Sequence, residues 1–364
     1  MIGTNAARYA DMLEHIEPDE AQIHAEMIDT FRKIQETTAK DYGHAVRGVH
    51  AKSHGILTGR FEVLSNLPAP LAQGLFAKPG SYDVILRLST NPGDILDDSV
   101  STPRGLAVKV LNVEGERLPG EVGTTQEFVM ADSPAFVAPD AKAFLRSLKL
   151  LAATTDTPQI FKKGLSAVLR GVETALEAVG TKSPTLISLG GHPETHILGE
   201  SFYSQVPVRW GDYVAKVSVA PLSPELTELT NAPVDVNGFP DGLRNAVANF
   251  FVEHAGTWEV RAQLLTNPET MPIEDASKPW SEDESPYVPV ARVNVPRQDS
   301  WSDAKVKLVD DGGAFNPWHC LAAHRPLGSI MRARRAIYPK SAGFRSERNG
   351  CPMHEFSDLT QLKG

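Results

Sequence analysis

Residues 47–64 read RGVHAKSHGILTGRFEVL. The first half is a polar turn carrying Arg47 and His50, and from Ile56 the texture becomes that of a strand. Working outward, SYDVILRLS (81–89), RGLAVKVLNV (104–113) and TQEFVMA (125–131) are short, rich in β-branched residues and bounded by Gly and Pro, so each predicts a strand. A second strand-like group follows in SFYSQVPVRW (201–210), YVAKVSVAPL (213–222), TWEVRAQLL (257–265) and VARVNV (290–295). Between the groups, 139–178 reads as helical. Ahead of them, Ile23, Met27, Phe31 and Ile34 recur at spacings that predict an amphipathic helix over 19–38. A last helix is predicted over 328–338, with Pro326 just before it and Pro339 as its stop. Strands in two groups, with helices between and after, fit an antiparallel β-barrel with helical insertions better than alternating βα units. The expected fold class is thus α+β. One domain over 1–364 is expected, with a helical arm to about 40, a barrel core over 44–300 and the closing helix at 328–338.

The composition is that of an ordinary globular chain, so a sizeable core can be buried. A net charge of −9 argues against a nucleic-acid partner, because displacing counterions from phosphates needs basic surface. No run approaches the length of a membrane span, and residues 1–20 contain no apolar core of signal-peptide length, which predicts a cytoplasmic protein. Cys320 and Cys351 form no CxxC pair, and two free thiols are expected.

Three constellations carry chemistry. Arg334 and Tyr338 stand four apart on the last predicted helix, hence on one face. A guanidinium beside a phenol favours the phenolate, a hard anionic ligand for ferric iron. On spacing alone a basic surface helix ending in tyrosine explains the pair as well. His50 is an imidazole that can take and return a proton near neutral pH; His54 is equally available on these grounds. In the strand 81–89, Ile85, Arg87 and Ser89 share one face, with Val84, Leu86 and Leu88 on the other. If the Arg87 face looks into the barrel, the arginine needs an anionic partner, because a buried unpaired charge is costly. Ser89 could then fix the tautomer of an imidazole. Solvent exposure of both is the plain alternative. His192 and His196 are four apart, but Pro193 between them favours a turn over a zinc-binding helix.

Taken together, these segments resemble the catalase superfamily. RGVHAKSHGILTGRFEV resembles its distal-histidine segment, VILRLSTNPGD its Arg-x-Ser-Thr strand, and STPRGLAVKV its Pro-Arg-Gly-x-Ala-Val-Lys element. NPETMPIEDASKPW looks like its approach to the proximal side, and RRAIYP matches its Arg-x-x-x-Tyr-Pro motif. The blocks run collinearly from about 44 to 340, and the stretch 315–340 is similar to the short bacterial peroxidase branch. The resemblance implies haem b with ferric iron, held inside the closed sheet. Tyr338 would be the metal ligand with Arg334 as its charge partner, His50 the distal acid–base, and Ser89 its orienting group. Arg47 and Arg87 would bind haem propionates, Val49 would pack on the distal face, and Phe136 would line the distal cavity.

Two departures qualify it. The family's distal asparagine has no counterpart in Val122-Gly123-Thr124-Thr125-Gln126-Glu127-Phe128, where Thr124 is the nearest candidate. A hydroxyl has one donor and a shorter reach than a carboxamide, which argues for peroxidase over efficient dismutase activity. The chain also lacks the C-terminal domains of larger members, so no bound NADPH is expected, and a homodimer is the assembly allowed for. The implied partners are a peroxide and an organic electron donor. The alternatives are a true catalase, an enzyme rearranging fatty-acid hydroperoxides as allene oxide synthases do, and a non-enzymatic barrel carrying an apolar ligand. Val49, where that synthase branch has a polar residue, favours catalase-like distal chemistry.

Overall fold

A computed structural model describes residues 5–154 and 191–362. Nine strands are present: β1 Ser53–Val63, β2 Gly80–Thr90, β3 Arg104–Val110, β4 Gln126–Ala131, β5 Phe202–Tyr203, β6 Val208–Trp210, β7 Tyr213–Pro221, β8 Gly256–Leu264 and β9 Val288–Val295. They pair antiparallel in the order β5-β4-β3-β2-β1-β9-β8-β7, and β5 also pairs with β7, which closes a ring of eight. Strand β6 pairs with β7 through Val208 and Ala215, farther along the edge that β5 uses at Phe202 and Val219. Closure leaves no long unpaired edge to attract another chain.

Alternation along each strand sorts the side chains. Leu57, Phe61, Leu86, Leu88, Leu106, Val108, Phe128, Val217, Val260 and Val293 share the main core of the barrel. The opposite face of β1–β3 is buried too. Ile56, Ile85 and Ala107 pack beneath Val309, Phe315, Phe356 and Leu362. Arg87 and Ser89 belong to this outer face with Ile85, and both are buried. Neither alternative, the barrel interior nor solvent, holds for Arg87 and Ser89, and the placement of a haem inside the closed sheet is corrected: apolar side chains fill the interior, and the polar face lies outside the sheet under a second layer.

That layer is helical. Helix α1, Glu20–Tyr42, turns Ile23, Met27, Phe31 and Ile34 inward as its periodicity predicts, and runs four residues past the expected end to Gly43, which is left-handed at φ 65°. Helix α2, Ala141–Thr154, packs Leu145 and Leu148 on α1. The rest of the predicted helical stretch, 155–178, lies outside the described residues. Helix α3, Gly242–Glu253, was not anticipated from the sequence. Helix α4, Ser329–Asn349, lays Ala333 and Ile337 against α1. Pro339 does not end it. The proline removes one backbone donor, but the stretch of α4 beyond it is held in place: Gln35 Nε2 donates to the Ser341 carbonyl and Arg345 to the Gly313 carbonyl. The start of α4 is held by Arg332, which pairs with Glu14, Glu20 and Glu274 at 2.7–3.1 Å. Cys320 and Cys351 are free. Among the described residues, no helix is long and apolar enough to cross a membrane.

Candidate functional site

A cavity opens between the outer face of β2–β4 and helices α1 and α4. One lobe, of about 510 Å³, is lined by Arg47, Arg87, Phe315, His319 and Arg345; the other, of about 390 Å³, by Asn91, Phe136, Phe144, His192 and Arg334. Phe31, Val49, His50, Val129, Met130, Ile337 and Tyr338 line both. His50 and Tyr338, from opposite ends of the chain, thus face one space whose size suits a large organic ligand.

His50 is held from every side. Its φ is 53°, a left-handed conformation that costs a β-carbon-bearing residue about 1–2 kcal/mol and persists only where the surroundings impose it. Its N–H donates to the Asn91 carbonyl at 2.7 Å, and its carbonyl accepts from Arg87 Nη2 at 2.8 Å. Its Nδ1 meets Ser89 Oγ at 3.1 Å, which leaves Nε2 to the cavity. Burial, then the positive charges of Arg87 and Arg334, push its pKa down to about 3, so the imidazole is neutral at physiological pH. The rival imidazole, His54, is fully buried in β1 against Thr90 Oγ1 at 3.2 Å and lines neither lobe.

Gly105 on β3 makes room for the His50 ring. A β-carbon there would stand 2.5 Å from Cε1 and 2.6 Å from Nδ1. Gly105→Ala is expected to push the imidazole aside without touching the Tyr338 wall. The His50 ring signals in a proton NMR spectrum should shift while those of the Tyr338 ring stay in place.

Behind His50 lies a cationic cluster. Arg87 Nε pairs with Asp310 Oδ1 at 2.5 Å, and Arg47 Nε stands 3.8 Å from the same oxygen. Arg345 joins them, donating to the Gly313 carbonyl at 3.0 Å. Two guanidiniums therefore share one carboxylate, and the third, Arg345, feels its charge from nearby. Burial, then repulsion from Arg345 and Arg87, holds Arg47 well below the usual arginine range, and burial pushes Arg345 down to about 10. The Nε atoms of Arg47 and Arg345 are buried without a hydrogen-bond partner. Such a cluster is short of negative charge, and two carboxylates would complete it. The propionates of haem fit this demand, and the phenol of Tyr338 is an oxygen donor suited to ferric iron.

The remaining predicted residues fall as follows. Val49 lines both lobes, and Phe136 lines the second, edge-on to Phe144 at 4.9 Å between centroids. Arg334 lies one turn before Tyr338, its guanidinium 5.8 Å over the Phe136 ring and Nη1 3.8 Å from Met331 Sδ; no hydrogen bond joins it to the phenol. Thr124 is exposed on the turn before β4 and lines neither lobe, so it supplies no distal hydroxyl. The β4 segment enters the cavity only from Val129 onward, which leaves Thr124 several residues short. His192 and His196 do not converge on a metal: His192 pairs with Asp132 at 2.8 Å, and His196 accepts from the Leu198 N–H.

Sequence reasoning missed Asp310, Arg345 and Asn91. Arg345 stands seven residues after Tyr338, a spacing that shares a helix face once α4 is allowed to pass Pro339. Asn91 lies two residues beyond Ser89 and lines the second lobe beside His50.

No family profile matches the sequence, and no curated protein matches it significantly. Solved structures do match. A fungal catalase superposes with a TM-score of 0.59 at 17% identity, covering 88% of this chain and 65% of its own. Catalase A from Saccharomyces cerevisiae gives 0.58 at 17% identity over 93% of this chain and 67% of its own. A bacterial catalase gives 0.57 at 16% identity over 98% and 68%. The chain spans about two thirds of the length of these enzymes. Superposition over nearly the whole chain makes this closed antiparallel barrel with its helices a catalase-like fold.

Proposed function

We propose that the protein is a haem-dependent peroxidase acting on hydrogen peroxide or organic hydroperoxides, with residual catalase activity. The observation that carries the reading is the pairing of a neutral imidazole, His50, with a phenol, Tyr338, across one cavity beside three arginines, two of which share a single carboxylate. Tyr338 would bind the iron of haem b, and Arg47, Arg87 and Arg345 its propionates. Val49, Phe31 and Ile337 would enclose the ring. Bound haem supplies the two electrons that break the peroxide O–O bond. His50 Nε2 takes the proton from the inner peroxide oxygen and returns it to the departing one, while Ser89 on Nδ1 keeps Nε2 bare. Arg87, holding the His50 carbonyl, fixes the ring's position.

Two features favour a peroxidase over an efficient dismutase. Thr124 is absent from the cavity, so Asn91 is the nearest amide by chain position to orient a second peroxide. The second lobe is walled by Met27, Phe136, Val137 and Phe144, which suits the organic part of a hydroperoxide. The test is spectroscopic. Purified protein supplied with hemin should develop a Soret band with a high-spin ferric spectrum. It should consume cumene hydroperoxide in the presence of an organic donor, with little oxygen evolved from hydrogen peroxide. Protein that stays colourless with hemin sinks the proposal.

A further inference from the structure

A second polar constellation lies at the rim of the larger lobe, and the peroxide chemistry does not use it. Glu127 on β4 is fully buried, with Oε1 2.8 Å from Lys109 Nζ and 3.0 Å from His319 Nδ1. Its Oε2 accepts from the Asn316 N–H at 2.7 Å, and its own N–H donates to the His319 carbonyl at 3.0 Å. The imidazole of His319 is thus fixed in place and in tautomer, as an acid–base histidine requires. Its Nε2 has no partner among the described residues, and the side chain lines the cavity. Burial opposes protonation of His319, but the hydrogen bond and charge of Glu127 outweigh it and hold the pKa above the usual value. Around it stand Phe315, Pro352, Met353 and the half-exposed Glu355. The carboxylates and imidazole of Glu127, His319 and Glu355 are close enough to hold a metal, but the Lys109 ammonium already faces Glu127 and repels a second cation.

We propose that the Glu127–His319 pair is the docking site of the reducing substrate, and that this substrate is a neutral aromatic bearing a hydroxyl or amino group. The inference rests on the peroxidase reading. An aromatic ring finds apolar walls in Phe315, Pro352 and Met353, and its hydroxyl reaches His319 Nε2. Charge sets the class. Lys109 Nζ lies 2.8 Å from Glu127 and 3.7 Å from Glu355, so it answers both carboxylates, while Asp310 faces Arg87 and Arg47. The Lys109 ammonium opposes a cationic donor and the half-exposed Glu355 carboxylate an anionic one, which leaves a neutral ring. In the reaction, which needs the neutral imidazole and so the alkaline side of its raised pKa, the donor's O–H bond breaks, its proton passes to His319 Nε2 and one electron leaves the ring. Two donors and one hydroperoxide give one alcohol, one water and two aryloxyl radicals.

The test uses the haem-loaded full chain. Dissociation constants for guaiacol, p-phenylenediamine and the anionic dye ABTS are measured by difference absorbance, and for 4-fluorophenol by fluorine NMR on the chain before hemin is supplied. His319→Gln keeps a donor for Glu127 but loses the ring acceptor. It should weaken guaiacol and 4-fluorophenol about tenfold and ABTS less than about twofold. Glu355→Gln, at an exposed rim position that cannot affect folding much, should strengthen ABTS about threefold and leave guaiacol and p-phenylenediamine within about twofold. Unchanged constants in both variants overturn the proposal. A chain that takes up no haem fails the peroxidase reading instead, and the 4-fluorophenol titration then still judges the pair.

Discussion

Tyr338→Phe is expected to leave the protein folded and nearly colourless. The substitution removes one oxygen atom and no apolar surface. Tyr338 belongs to none of the main core clusters, so the barrel should keep its stability to within about 1 kcal/mol. What is lost is the only oxygen donor on the α4 wall that the sequence motif and the cavity both single out. The arginine cluster would still attract propionates, so hemin should bind weakly rather than not at all. Hemin affinity should drop by about 10²-fold or more, beyond the loss usual when a group merely supporting a ligand is removed. Hemin titration followed at the Soret band, with unfolding by urea as a control, measures both effects. Full retention of haem with an unaltered spectrum would reassign the metal ligand.

The second large effect concerns His50. His50→Asn is the cleaner variant, because asparagine tolerates the left-handed φ of 53° better than alanine does. The loaded variant should keep its haem yet react with peroxide about 10²–10⁴-fold more slowly, since the proton relay is gone. His50→Ala should do the same with some added loss of stability. The wild-type protein carries a pH signature of the same residue. A histidine with an ordinary pKa would protonate between pH 7 and 5 and lose its function as a base. Here the pKa is lowered to about 3, so the neutral form persists through that window and the rate should stay flat. Stopped-flow mixing with hydrogen peroxide across pH 5–8 checks it. Unchanged kinetics in His50→Asn would remove His50 from its role.

Much of the architecture was legible because local patterns and final packing agree. The periodicity of Ile23, Met27, Phe31 and Ile34 marks the buried face of α1, and the alternation of Val84, Leu86 and Leu88 marks the barrel interior. Pro339 misled because its local penalty is outweighed by contacts made elsewhere along α4, through Ser341 and Arg345. The placement of Arg87 outside the barrel was not readable from alternation, which sorts residues into two faces but does not say which is interior when both are buried. Asp310 and His319 escaped notice for a different reason. Asp310 acquires meaning only beside Arg47 and Arg87, and His319 only beside Glu127, with long stretches of sequence between the partners.

Helix α4 brings one further consequence. The imidazole wall is encoded near the start of the chain and the phenol wall near its end, and the brace on Arg332 joins the two termini through Glu14 and Glu20. During synthesis, the first wall emerges from the ribosome long before the second exists. A ligand gripped by both walls therefore has to wait until synthesis has passed Tyr338.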